Sequence, residues 1–79
     1  MSGKTRMDLA ARIRQLREQR GMTQADVAIA IGVRTNRISE LERNEGQASL
    51  PTLIALADLF NVTLDYLVGR RPPPSSQGN

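Results

Sequence analysis

Asn36, Arg37, Glu40 and Arg43 place an amide, two guanidinium groups and a carboxylate within eight residues. These groups suit the edges of nucleic-acid bases. An amide matches N6 and N7 of adenine, and a guanidinium matches O6 and N7 of guanine or a phosphate. A carboxylate accepts from N4 of cytosine, or steers neighbouring guanidiniums by ion pairing. Other chemistries are poorly served. Histidine and cysteine are both absent, which removes the commonest general base, disulfides and thiolate metal ligands. There is no phosphate-cradling glycine loop and no carboxylate pair in a plausible cleft. Neither an enzyme, a metal site, a cofactor nor a small-molecule ligand is therefore expected.

The elements that must carry these groups are short helices. From Met7 to Arg20 there is no Gly or Pro, and Leu9, Ile13 and Leu16 recur at helical spacing. Gly21 is the natural stop. Thr23 can cap a second helix over residues 24–31, with Asp26 at N3, where a negative charge meets the helix dipole. Val27, Ala28 and Ile31 give that helix its apolar face, and Gly32 ends it. A third helix is predicted over 35–43, with Ile38 and Leu41 inward. Ser49 caps a fourth over 50–60, with Pro51 in its first turn and Leu53, Leu56, Ala57 and Phe60 as a buried stripe. Thr63 caps a fifth over 64–68. With no period-two alternation, the fold class is all-α, a compact five-helix orthogonal bundle.

Seventy-nine residues make one domain, here residues 7–69, which buries only about 60% of its unfolded surface. Residues 1–6 form a flexible arm. Residues 70–79, with three consecutive prolines, form a tail too polar to offset its ordering entropy and are expected to be disordered. Charge divides the chain. Residues 1–37 hold eight cations against three anions, and residues 38–69 one against five. One basic and one acidic half suit a polyanion on one side and something else behind. No apolar stretch approaches the about 20 residues of a membrane span, and no hydrophobic signal region follows the first residues, so no membrane partner and a cytoplasmic location are expected.

In the window Gln24–Arg43, each apolar or small residue has a mechanical reason. Ala28 lets two short helices meet at a steep angle, Gly32 supplies the positive φ of a tight turn, and Val33 plugs that turn into the core. At about 100° per residue, with Ile38 and Leu41 inward, Asn36 and Arg43 point most nearly outward. Ser39 and Glu40 flank that line, and Thr35 and Arg37 lie on opposite shoulders.

The segments GMTQADVA, IGV, RISELERN, SLPTLIALADLFNV and TLDYLVG, in that order, resemble the helix-turn-helix regulators of the lambda-repressor/Cro/Xre family. The resemblance runs from about Leu9 to Gly69. It implies a lambda-repressor-like domain that binds double-stranded DNA with its third helix in the major groove and regulates transcription as a homodimer on a palindromic operator, nucleoid-associated when bound. Combined with the geometry, it makes Thr35, Asn36, Arg37 and Glu40 the base-contacting set, and Arg34, Arg43 and Asn44 phosphate contacts. It implies that the Gln24 amide holds a phosphate and braces the recognition helix. It further implies a structural salt bridge between Arg17 and Glu42. The short fifth helix cannot bury all its apolar residues in its own domain, so Leu64 and Tyr66 are expected to form the dimer seam. The alternative is an antitoxin-like module on the same fold, with a partner protein bound through the acidic half or the tail and DNA binding secondary.

Two departures from the family pattern bear on the site. Arg34 stands where Ser or Thr is usual, so either Thr35 takes over the capping or the helix end is less well satisfied. Asn44 and Ala48 stand where Gly and Pro are common, so the intervening loop is expected to take its own path.

Overall fold

A computed structural model describes residues 8–69; the expected arm and tail lie outside them. Five helices follow one another: α1 (Leu9–Gln19), α2 (Gln24–Ile31), α3 (Thr35–Glu42), α4 (Leu50–Phe60) and α5 (Leu64–Leu67). Every helix contributes a fully buried side chain to one core: Ile13, Val27, Ile38, Leu56 with Phe60, and Leu67. Leu9, Ile31, Val33, Leu53 and Leu64 pack around it while staying partly exposed.

The helix starts are chemical as well as hydrophobic. Asp8 accepts from the Ala11 amide at 2.9 Å and begins α1, a cap hidden in the sequence by the uninterrupted run from Met7. At α2, Thr23 and Asp26 cap reciprocally: the Thr23 hydroxyl accepts from Asp26 N, and the Asp26 carboxylate accepts from Thr23 N. Ser49 and Thr63 cap α4 and α5 through their hydroxyls. Gly32 closes α2 at φ 78°, its amide donating to Ala28 O at 2.9 Å. That left-handed residue turns the chain sharply enough to start α3 three residues later.

Outside the packed face of Val27, Ala28 and Ile31, Ile29 is 79% exposed. One surface differs from expectation. On α5, Leu64 packs against its own core, so the surplus apolar surface reduces to Tyr66, 37% exposed. Even that ring is partly claimed, because the Arg12 guanidinium lies over it at 4.0 Å from the centroid.

Candidate nucleic-acid interface

α3 is held from below and open above. Ile38 and Leu41 are buried, whereas Arg34, Thr35, Asn36 and Arg43 are exposed and Arg37, Ser39 and Glu40 half-buried. Arg34 occupies the N-cap with no side-chain cap hydrogen bond, and Thr35 is the first helical residue. The second of the two capping outcomes therefore holds: the first turn of α3 lacks the side-chain acceptor that begins each of the other four helices. The amide such a cap would take, Arg37 N, donates instead to the Arg34 carbonyl at 2.9 Å, and the positive end of the helix dipole lies beside exposed Arg34, Thr35 and Asn36, a setting that favours anions.

The exposed polar set is not uniformly free. Arg37 donates through Nη2 to the carbonyl of Gln47 and lies 3.5 Å from Glu40 Oε1, so it straps the loop after α3. Arg43 donates to the Ser39 hydroxyl and, at 3.0 Å, to Glu45. That bond with Glu45 raises the guanidinium above its ordinary pKa. Asn44 adopts the left-handed conformation at φ 61°, the geometry a glycine would provide. Among the described residues, no side chain is hydrogen-bonded to those of Thr35 or Asn36.

Behind α3 lies a buried network. Arg17 donates through Nε to Glu42 Oε2 at 2.6 Å and through Nη2 to Glu42 Oε1 at 3.0 Å. Its side chain is 13% exposed and that of Glu42 only 4%. Arg17 Nη1 also donates to Met22 O at 2.8 Å, and Gln24 Nε2 donates to Glu42 Oε1 at 3.1 Å. The bidentate contact joins α1 to the end of α3, and the hydrogen bond to Glu42 raises the Arg17 pKa beyond its ordinary value. Gln24, to which the resemblance gives both a phosphate-holding and a helix-bracing role, thus has one amide hydrogen committed to the end of α3 inside the protein.

Sequence reasoning missed three long-range arginine contacts. Besides Arg12 on Tyr66 and Arg37 on Gln47, Arg20 donates to Leu16 O at 3.1 Å and to Phe60 O, tying the ends of α1 and α4. Long flexible side chains reach partners that no local spacing encodes.

A capped helix, a left-handed glycine turn and a second helix with an open polar face define a helix-turn-helix domain. The chain belongs to the helix-turn-helix family, whose sequence profile matches residues 13–67. It is 34% identical over 64 residues to the HTH-type transcriptional regulator ImmR of Bacillus subtilis, covering 81% of this chain and 50% of that protein. The chain therefore spans about half the length of ImmR. An uncharacterized HTH-type transcriptional regulator of Archaeoglobus fulgidus is 36% identical over 59 residues, 75% of this chain and 84% of that one. Among solved structures, the P22 c2 repressor in complex with a synthetic operator superposes with a TM-score of 0.77 at 29% identity, covering 82% of this chain and 98% of that one. No described helix is long and apolar enough to cross a membrane.

Proposed function

We propose that this domain binds double-stranded DNA sequence-specifically and regulates transcription as a homodimer on a palindromic operator, with α3 in the major groove. The observation that carries the reading is the leading end of α3, where exposed Thr35 and Asn36 sit beside an uncapped helix terminus on a buried Ile38–Leu41 base. Thr35, Asn36 and Glu40 contact bases. Arg37 joins them by leaving the Gln47 carbonyl on binding. Gln24, Arg34, Arg43 and Asn44 hold phosphates. Kinship with named transcriptional regulators and with a repressor solved on its operator supports the assignment. In the dimer, Tyr66 supplies the seam, with Leu64 behind it, and the two recognition helices lie about 34–36 Å apart, one DNA turn.

Affinity rests on phosphates, so binding should fall steeply as salt rises, while base contacts set preference. Gel-shift titration of the preferred duplex at several salt concentrations tests both terms. Binding that is indifferent to salt, or an Asn36→Ala variant with unchanged preference, contradicts the reading. Tyr66→Glu should shift the protein toward monomer in sedimentation velocity and weaken binding to a two-half-site duplex more than to a single half-site.

One observation favours a second reading, the antitoxin-like module with a partner protein. Leu50 and Ile54, one turn apart on α4, are both exposed. Co-purification of a second chain that disappears in Leu50→Glu/Ile54→Glu, with DNA affinity retained, would place protein binding first.

A further inference from the structure

We infer that Glu42 is a positioning residue for DNA binding, one that fixes the orientation of the Gln24 amide. This rests on the reading of Gln24 as a phosphate contact. An amide has two chemically opposite ends, and a free glutamine presents either with similar ease. Here Nε2 lies 3.1 Å from Glu42 Oε1. The reversed amide would set its own oxygen against that carboxylate, acceptor facing acceptor. One orientation survives.

The carboxylate that imposes this choice is itself immobile. Both oxygens are occupied by Arg17, at 2.6 and 3.0 Å, and Arg17 is in turn tied to Met22 O. With Glu42 only 4% exposed, water competes little for the acceptor. The network therefore runs from α1 through the end of α3 to the first residue of α2, where one Gln24 amide hydrogen remains uncommitted among the described residues. A donor held in place before binding sacrifices less side-chain entropy when phosphate arrives. The Arg17–Glu42 pair thus does more than hold two helices together.

A merely structural salt bridge and a positioning one make different predictions. Replacing both partners with apolar residues, Arg17→Met/Glu42→Leu, fills the space without leaving a buried charge unpaired. Duplex affinity is measured for four proteins: native, Gln24→Ala, the apolar pair, and the apolar pair with Gln24→Ala. Gln24→Ala in the native background should weaken binding roughly tenfold or more, as for a hydrogen bond to a charged group. The salt slope should not change, because the deleted group is uncharged. The apolar pair should bind more weakly by a similar factor, and adding Gln24→Ala to it should cost little more. An apolar pair that binds like native, or a Gln24→Ala effect of equal size in both backgrounds, would overturn the proposal.

A second readout needs no DNA. Side-chain ¹⁵N relaxation of the Gln24 amide should report an ordered group in the native protein and a flexible one in the apolar pair. It should also report a flexible group in Glu42→Asp, which keeps the charge beside Arg17 but withdraws the acceptor by one methylene. A Gln24 amide equally ordered in all three would overturn the inference. If the native protein ignores duplex DNA altogether, the proposed function fails, and the relaxation data still decide whether Glu42 positions Gln24.

Discussion

α2 and α3 are each eight residues long and pack against one another, yet their ends are built on opposite terms. α2 starts in a reciprocal capping box and stops on a left-handed glycine. α3 starts on Arg34 with no side-chain cap and leaves Thr35 and Asn36 in solvent. Caps satisfy orphan N–H groups and stabilise a helix, but a satisfied group is not free to meet an anion. α2 thus begins on side-chain caps, whereas α3 begins on a backbone turn, Arg37 N donating to Arg34 O at 2.9 Å, with Arg34, Thr35 and Asn36 left to solvent.

The largest test of this division concerns what anchors α3. Arg17→Met leaves Glu42 buried without its cation and should cost about 3–5 kcal/mol, enough to unfold much of a domain this small. Arg14→Met breaks only the exposed pair with Glu18 at 3.1 Å and should cost no more than about 0.5 kcal/mol. Urea unfolding followed by circular dichroism separates the two; equal destabilisation would erase the distinction between anchoring and solvated charge.

Next comes the apolar side of the same contrast. Ile38→Ala removes a fully buried side chain from beneath α3 and should cost about 2–5 kcal/mol. Ile29→Ala, on the exposed face of α2, should fall within about 0.5 kcal/mol. A third pair addresses the caps. Thr23→Ala should destabilise by about 1 kcal/mol, whereas Arg34→Ser should stabilise by up to about that amount. The same Arg34→Ser should weaken duplex binding and flatten its salt slope by about 0.9 for each phosphate no longer neutralised. A variant that gains stability and keeps its affinity would break the proposed trade.

The smallest effect is in acid. The backbone N–H of Thr23, with its hydroxyl, holds the Asp26 carboxyl below the usual carboxylate range. A group whose pKa is depressed on folding contributes stability above its unfolded value of about 3.9, and that contribution disappears as pH falls through the lower folded value. Asp26→Asn should therefore flatten the stability profile below about pH 4 and leave the thermal midpoint in strong acid, below the folded pKa, nearly unchanged. A profile unaltered throughout would show the capping box to be unimportant to α2.

Much of this division was legible in the sequence, for physical reasons. Thr23, Gly32, Ser49 and Thr63 announce helix ends because capping and positive φ are local chemistry. The inward face of α3 follows from Ile38 and Leu41 alone. The packed face of α2 follows likewise from Val27, Ala28 and Ile31, but the Asp8 cap of α1 did not follow, because it lies inside an uninterrupted run from Met7. Arg12 over Tyr66 and Arg37 on Gln47 were invisible for a different reason: each joins segments whose approach is set by the tertiary fold. The link from Gln24 to Glu42 belongs to that second kind, although Arg17 and Glu42 could be paired by resemblance.

Selection of bound sites from random duplex DNA, run in parallel with the native chain and Asn36→Ala, tests most directly whether the open end of α3 reads sequence. The native chain should enrich a palindrome with half-sites one turn apart, and Asn36→Ala should relax the preference at one position in each half-site while keeping the spacing. An identical enriched site from both proteins, or none from the native chain, would contradict the account.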